Sequence, residues 1–374
     1  MMEQYLQVVR MAVSVFPFIA LAMSIPFMLL EYHRFGALSF LKGAVVYSFV
    51  LYMICAYCLV ILPLPDRAEV AKSTAPWCNL IPFHAVRDFF RDSPFCLTQP
   101  STYLAALKHK SFYTVAFNLA LTLPFGFYVR YSLRAGWKKA LLLSFLLSLF
   151  FELTQLSGLY FLYPRPYRLF DVDDLIANSL GGLLGWACSA PLIRWLPSRE
   201  AIERDALRRG RRVSGLRRTV ALVIDLGVYL LTALLPTLWW PQAAGAFAGL
   251  AFFGYYILLS HLLGGHTPVE AFLRLRVTDR AGRSRLWRLT LRRMLFVVVY
   301  LALPGFVAVA GVLCGQETPA VTLLAVVAVA VYYLAVGVKF LFTERPMLYE
   351  RLSGTRMQST VGSGEAREDS LAPQ

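Results

Sequence analysis

The sequence predicts an all-α, polytopic helical membrane protein with about nine transmembrane helices in two modules. Hydrophobic residues make up 58% of its 374 residues and charged residues only 16%, whereas about a quarter of a soluble domain is charged. Apolar runs of about 20 residues, the length that crosses a bilayer as a helix, recur along the chain. The short alternating segments typical of a membrane β-barrel are missing from it.

The predicted spans form a group of five and a group of four. They cover approximately residues 8–30, 41–62, 111–130, 138–158 and 172–196, and then 216–240, 242–263, 290–313 and 319–343. The sequence between the groups is charged and arginine-rich, which predicts a basic cytoplasmic linker. The predicted domains are a five-helix module (1–196), the linker (197–215), a four-helix module (216–358) and a polar, disordered tail (359–374).

Lysine and arginine collect in particular loops, and this asymmetry predicts the orientation of the spans. The linker and the 264–290 loop are strongly basic, whereas the turns at 236–241 and 314–318 carry almost no charge. The 63–110 loop lies on the predicted outer side and does not fit this rule, because it contains six Lys and Arg residues. Long loops, however, carry less weight in the rule. The prediction is an N-terminus outside the membrane and a cytoplasmic C-terminus.

The net charge of +15 is explained by these same loops. A soluble protein this basic would suggest nucleic acid, but the sequence contains no soluble basic domain that could bind it. The predicted partners are therefore membrane lipids, with anionic head groups at the inner face, and no nucleic acid is expected.

The strongest candidate site lies where the fifth span begins. Acids at a membrane boundary are costly unless they are paired or hydrated, so they indicate function. Asp171, Asp174 and Asn178 are spaced three and four residues apart and share one face of a helix. Asp171 also suits a helix N-cap with Asp173 in the first turn, and this purely structural explanation stays open beside a polar pocket.

Neighbouring polar residues would complete such a pocket. Glu152 and Gln155 end the fourth span and face the same pocket if the fourth and fifth spans form a hairpin. Arg168 would meet an anionic group. The acids Asp171, Asp174 and Glu152 would either orient Arg168 or accept hydrogen bonds from hydroxyl and amine groups, and Asn178 would fix the acids. Two carboxylates beside an arginine can support acid–base chemistry, but no Ser–His pair accompanies them. The sequence therefore favours a protein that is not an enzyme, with no assigned catalytic residue.

Histidine and cysteine give no sign of a metal or cofactor site, because no two histidines show ligand spacing. Cys55 and Cys58 lie in an apolar helix and are predicted to pack there. Cys78 and Cys96 share one loop, where a disulfide is an open alternative if the loop is extracytoplasmic.

Further polar residues lie inside other predicted spans. Pro124 is expected to kink the third span and to leave a backbone carbonyl group without its partner. Asn118 in the same span either forms a hydrogen bond with that carbonyl group or forms one with the fifth span. In the second module, four charged residues lie in or beside apolar segments, and a pairing of arginine with aspartate within the lipid would explain two of them. These residues are Arg217, Arg218, Asp225 and Glu350. Their alternative explanation is a set of hydrated charges on the inner side.

Several short motifs follow one another in the first module. They are Asn79-Leu80-Ile81-Pro82-Phe83, Asn118 with Leu123-Pro124-Phe125-Gly126, Glu152-x-x-Gln155, and Arg168-x-x-Asp171-x-x-Asp174-x-x-x-Asn178 followed by Gly181, Gly182 and Gly185. Together these motifs resemble the VanZ-like family of bacterial membrane proteins over about residues 45–196. The resemblance implies a bundle of about five helices and a role in the cell envelope. It also implies a link to resistance against the glycopeptide antibiotic teicoplanin.

The second module carries another set of matching residues. They are Arg217 or Arg218 with Asp225, Gly264-Gly265-His266-Thr267-Pro268 with Leu275-Arg276-Val277, and Glu350 in Tyr349-Glu350-Arg351-Leu352-Ser353-Gly354-Thr355. This set resembles the RDD family over about residues 213–358 and implies a part in transport. Glu350 stands where that family has an aspartate, and Val269-Glu270 stands where a Gly-Lys pair is expected.

The sequence thus predicts a multi-pass protein of the bacterial plasma membrane, with an extracytoplasmic polar pocket that includes Asn79. Its expected ligand is a peptidoglycan precursor, another lipid-linked molecule or a glycopeptide. One alternative is a transporter or lipid flippase, with Asp225 as an intramembrane relay. The other alternative is a membrane enzyme that acts on a polyprenyl-linked substrate.

Overall fold

A computed structural model describes residues 2–314, 319–343 and 345–362. In these ranges, nine helices are long and apolar enough to cross a membrane, which confirms the predicted fold class. We number them spans 1 to 9: Arg10–Phe35, Phe40–Ile61, Lys110–Leu133, Trp137–Leu156, Val172–Ile193, Gly215–Leu238, Pro241–Leu262, Leu286–Cys314 and Pro319–Phe342. Span 1 is the apolar part of a helix that begins at Met2.

Shorter elements connect the spans. The short helices are Arg67–Lys72, His84–Asp92, Tyr103–Leu107, Arg199–Gly210, Pro268–Phe272 and Leu348–Ser353. Two small sheets complete the fold. Strands β1 (Cys78–Asn79) and β2 (Phe170–Asp171) pair in parallel, and strands β3 (Leu275–Asp279) and β4 (Thr355–Ser359) pair antiparallel.

The chain divides into two compact units. The first unit contains Met1–Met23 and Leu41–Arg199, and the second contains Ser24–Phe40 and Glu200–Gln374. The end of span 1 and the helix Arg199–Gly210, which falls in the predicted linker, therefore belong largely to the second unit. The sequence analysis placed the end of span 1 in the first module and this helix in the linker. Hydropathy alone does not reveal which residues pack together.

Three glycines of span 5 let its neighbours approach within van der Waals distance. A Cβ atom at Gly185 would lie 1.8 Å from the Leu123 carbonyl oxygen of span 3. A Cβ atom at Gly181 would lie 2.3 Å from the Leu119 carbonyl oxygen of the same span. Small residues permit such backbone contact between membrane helices, so spans 3 and 5 form the packed centre of the first unit.

A buried arginine organises the second unit. Arg217 is fully buried and donates hydrogen bonds to the carbonyl oxygens of Gly210 at 3.0 Å, Leu273 at 2.7 Å and Arg274 at 2.8 Å. Gly210 ends one helix, and Leu273 and Arg274 follow another. Carbonyl groups at helix ends lack partners within the helix and carry partial negative charge, so a cation binds there favourably.

The chain continues in ordered form past the predicted start of the disordered tail. Strand β4 includes Ser359, which lies opposite Leu275, and the Thr360 amide donates to the Arg274 carbonyl oxygen at 2.8 Å. The pairing of β4 with a distant strand explains why local polarity does not indicate this order. The rest of the predicted tail, from residue 363 onward, lies outside the described residues.

Gly185→Ala tests the close packing of spans 3 and 5. We expect this variant to lower the free energy of unfolding by about 1–3 kcal/mol, because overpacking forces the backbones apart. Thermal unfolding of the purified protein in detergent measures the effect. The matched control is Gly227→Ala, where a new Cβ meets nothing within 4 Å. Identical melting temperatures for the two variants would contradict the packing.

Candidate functional site

The site is built on the end of span 2. The last carbonyl groups of a helix have no partner within it, and side chains from the end of span 4 and from the segment after it supply donors here. Gln155 Nε2 donates to the Val60 carbonyl oxygen at 3.0 Å. Arg168 Nη2 donates to the Leu62 carbonyl oxygen at 2.7 Å, where its positive charge also suits the negative end of the helix dipole.

Two tyrosines extend this attachment to the segment that follows span 2. The Tyr167 hydroxyl donates to the Ile61 carbonyl oxygen at 3.4 Å, and the Tyr163 hydroxyl donates to the Pro65 carbonyl oxygen at 2.9 Å. Burial raises the pKa of Tyr167, so its phenol keeps the proton that it donates. The segment between spans 4 and 5 is thereby tied to the end of span 2.

The short parallel sheet brings Asn79 to the start of span 5. Asn79 lies opposite Asp171, and its Nδ2 donates to Asp171 Oδ1 at 3.2 Å. The same Oδ1 accepts the Asp173 amide at 2.9 Å, so Asp171 is the N-cap of span 5. Capping and a tertiary contact therefore use the same carboxylate.

Asp173 holds the neighbouring segment and was not among the predicted site residues. It is buried, and its two oxygen atoms accept the backbone amides of Phe83 at 2.5 Å and Ala85 at 2.7 Å. These amides lie at the start of the helix His84–Asp92, where N–H groups lack partners. The available signal was the run of three acids within four positions, which exceeds what one N-cap requires.

Two further carboxylates are held by neutral donors. Glu152 is 3% exposed, and its Oε2 accepts the Asp171 amide at 3.0 Å. Asp174 Oδ1 accepts a hydrogen bond from Asn118 Nδ2. Asn118 therefore bonds to span 5, one of the two roles that its sequence position allowed. Across the described part of the chain, Glu152 Oε1 and Asp174 Oδ2 have no hydrogen-bond partner.

These groups line a cavity of about 300 Å³ between spans 2, 3, 4 and 5. Six of the eight residues predicted for this pocket line it: Asn118, Glu152, Gln155, Arg168, Asp174 and Asn178. Asn79 and Asp171 do not line the cavity but support its wall through the contacts described above. Apolar and aromatic side chains complete the wall, among them Leu59, Phe117 and Phe151.

The partners of Asn178 and Arg168 within the protein are not the acids. Asn178 Nδ2 donates to Ser148 Oγ at 3.0 Å and so does not fix an acid. Its Oδ1 is buried without a partner among the described residues. Arg168 forms no ion pair within 4 Å in the described ranges, because the end of span 2 provides its acceptor. The sequence pattern grouped residues that line one cavity but did not identify their partners.

The cavity can accept a ligand that donates hydrogen bonds. Glu152, Asp174 and Asn178 line it together with Arg168, and each of these three has an oxygen atom without a hydrogen-bond partner among the described residues. Buried carboxylates without a paired cation are costly, and a ligand amine, a hydroxyl group or water would reduce that cost. No cluster of three His, Cys, Asp or Glu side chains suited to a metal ion is found in the residues that the structure covers.

The arginines predicted for the second module do not form an ion pair with Asp225. Asp225 accepts hydrogen bonds from the Tyr255 hydroxyl at 2.5 Å and Thr267 Oγ1 at 2.9 Å, rather than from an arginine. Arg218 lies 3.9 Å from Glu350, and both side chains are buried. The pairing expected between arginine and Asp225 is therefore replaced by hydroxyl donors.

Asp173→Asn should release the segment that follows β1. The amide group of asparagine accepts more weakly than a carboxylate and offers only one oxygen atom to the two N–H groups. We expect amide hydrogen exchange in residues 83–92 to accelerate by at least about tenfold, equivalent to roughly 1.4 kcal/mol of local stability. Asp92→Asn, at an exposed position of the same helix, is the control. Equal exchange in both variants would contradict the proposed contact.

The part of the chain that contains this site matches a known protein family. Residues 49–194 match the family model described as VanZ/LLP1. No curated protein and no solved structure matches the chain. The matched region contains every residue of the cavity and ends before the helix Arg199–Gly210. The N-terminal part of this multi-pass membrane protein is therefore VanZ-like.

Proposed function

We propose that the protein is a bacterial cell-envelope protein whose first-unit cavity binds part of an envelope molecule and thereby lowers susceptibility to teicoplanin. The observation that carries this proposal is the set of unpartnered oxygen atoms, from Glu152, Asp174 and Asn178, beside Arg168 in one cavity. A ligand with amine or hydroxyl donors next to an anionic group complements this arrangement. Peptidoglycan precursors and other lipid-linked envelope molecules have such groups.

The cavity volume restricts the ligand. About 300 Å³ is at the lower limit of small-molecule sites and suits a single sugar, amino acid or head group. A whole glycopeptide antibiotic is much larger than this space. Resistance would therefore arise through an envelope ligand of the protein rather than by enclosure of the antibiotic. With the N-terminus outside, as the basic loops favour, the cavity lies at the extracytoplasmic side, where such ligands occur.

The second unit is proposed to be RDD-like. Its buried charged residues support this assignment, since Arg217, Arg218, Asp225 and Glu350 each have specific partners within the unit. A transporter would need one of these groups to exchange partners during its cycle. Both oxygen atoms of Asp225 accept hydrogen bonds from fixed hydroxyl groups, which favours a structural role over that of a relay.

A membrane enzyme is the second candidate function, and one observation favours it. Glu152 and Asp174 line the same cavity, and each has a free oxygen atom. Two such carboxylates can act as a general acid and base on a bound polyprenyl-linked substrate. Binding alone requires no turnover, so incubation of the purified protein with such a substrate distinguishes the two functions.

Glu152→Gln and Asp174→Asn test the proposed function. Each substitution keeps the size of the side chain and replaces a carboxyl group of the cavity with an amide. A lost hydrogen bond between the ligand and this carboxyl group should weaken binding by about tenfold, so teicoplanin susceptibility should return to the level of the empty vector. Asp92→Asn is the matched control, since it removes an exposed charge outside the cavity. Protein abundance in the membrane is measured for every variant.

Equal susceptibility of cells that carry wild type, either cavity variant or the empty vector would contradict the resistance proposal. If wild type converts a polyprenyl-linked substrate and Glu152→Gln does not, the result would favour an enzyme over a binding protein.

Asp225→Asn distinguishes binding from transport. The proposed function requires only the first-unit cavity, so this variant should protect cells from teicoplanin as well as wild type does. Asparagine can still accept hydrogen bonds from Tyr255 or Thr267, which limits the structural change. Protection is measured beside wild type at matched membrane abundance. Loss of protection at normal abundance would favour a transporter that uses charges of both units.

A further inference from the structure

The second unit contains a larger cavity, of about 740 Å³, that the proposed function does not use. Its walls come from spans 6, 7, 8 and 9, and most of the side chains are apolar or aromatic. Representative wall residues are Leu222, Phe252, Val297, Tyr300, Val336 and Phe340. This interior suits a hydrocarbon chain rather than a polar molecule.

Charged side chains line the part of this cavity that is nearer the start of span 6. Arg218 lies near the start of span 6, and Arg292 and Arg293 lie near the start of span 8. Two acids, Asp225 and Glu270, line it as well. Seven residues separate Arg218 from Asp225, which is about 10 Å along a helix, and span 6 continues the wall beyond Asp225 with Leu226 and Tyr229. The cavity therefore has a charged part toward the start of span 6, and the span 6 wall beyond it is apolar and aromatic.

The carboxylates near the charged part are already occupied. Both oxygen atoms of Asp225 accept hydroxyl hydrogen bonds. Both oxygen atoms of Glu270 accept from Arg293 Nη2 at 3.0 Å, and one also accepts the Thr267 amide. Glu350 does not line the cavity itself, and its two oxygen atoms accept hydrogen bonds from Arg292 Nη1 and from the Met347 amide, each at 2.9 Å. Each of these oxygen atoms thus has a donor.

Two arginines that line the same part of the cavity have N–H groups without an acceptor. Arg218 is 5% exposed and Arg292 is 2% exposed, and the Nε of each is buried without a partner among the described residues. A buried N–H of a cation without an acceptor is costly, because it has lost its water. Spare donors and saturated acceptors in one part of a cavity favour an anionic ligand group.

We propose that this cavity binds a lipid with a phosphate head group. The phosphate accepts hydrogen bonds from Arg218 and Arg292, and the hydrocarbon chain lies along the apolar walls of spans 6 to 9. The surrounding membrane supplies such lipids at high local concentration. The proposal concerns the second unit and does not depend on the function proposed for the first.

Two glycines make a selective test feasible. Gly249 and Gly337 line the cavity, and a Cβ atom added to either would meet nothing within 4 Å. Leucine at both positions should therefore occupy ligand space without a clash in the empty cavity. Gly227 and Gly305 are also open to a Cβ atom, and neither lines the cavity. The Gly227→Leu/Gly305→Leu double variant is thus a matched control for added apolar volume.

The experiment measures lipid binding to the full-length protein after delipidation in detergent. Native mass spectrometry compares an anionic phosphatidylglycerol with a zwitterionic phosphatidylcholine that has the same acyl chains. We expect wild type and the control variant to prefer the anionic lipid, and Gly249→Leu/Gly337→Leu to bind it at least about tenfold more weakly. Equal binding by the filled and control variants, or no preference for the anionic lipid, would overturn the proposal.

A second comparison tests the head-group contact. Arg218→Gln should reduce the preference for phosphatidylglycerol and leave phosphatidylcholine binding unchanged. If this variant does not fold, the glycine variants still decide the outcome. Inorganic phosphate serves as the competitor without a chain. Displacement of the lipid by millimolar phosphate in the filled and wild-type proteins alike would overturn the proposal in favour of a simple anion site.

Discussion

The attachment of Gln155 and Arg168 to the carbonyl end of span 2 is the constraint on which the candidate site depends. A helix end in or near a membrane must find donors for its last carbonyl groups. Here the donors come from the end of span 4 and from the segment between spans 4 and 5. Arg168 is thereby committed to the Leu62 carbonyl oxygen and is not paired with an acid. This commitment leaves carboxylate oxygen atoms available in the cavity.

The two units solve the problem of buried charge in opposite ways. In the first unit, neutral donors hold the acids, with Asn118 on Asp174 and a backbone amide on Glu152, so spare acceptors face the cavity. In the second unit, hydroxyl groups, amides and arginines saturate the acids, while Arg218 and Arg292 keep spare donors. Hydrogen-bond capacity, more than net charge, therefore distinguishes the ligand chemistry of the two cavities.

Hydropathy and local spacing were sufficient to predict the helices and most of the polar residues that line the first-unit cavity. The three- and four-residue spacing from Asp171 to Asn178 identified one face of span 5, because helical periodicity is a local property. Long-range pairings were not predictable in this way. The sheet that joins Asn79 to Asp171 is one example, and the amides that Asp173 holds are another. The sequence analysis did not predict the buried position of Arg292, because an arginine near the end of a span normally indicates the orientation of that span in the membrane rather than an internal contact.

The central claim is that the first-unit cavity is a hydrated, electronegative space within the membrane region. Asn178→Cys and Leu180→Cys, in a background without other cysteines, test it directly. The two positions differ by about 3 Å in depth along span 5, but only residue 178 lines the cavity. The measurement is the rate of modification by a cationic methanethiosulfonate reagent. We expect the thiol at 178 to react at least about tenfold faster, since the nearby carboxylates attract the cation. Equal rates at the two positions would contradict it.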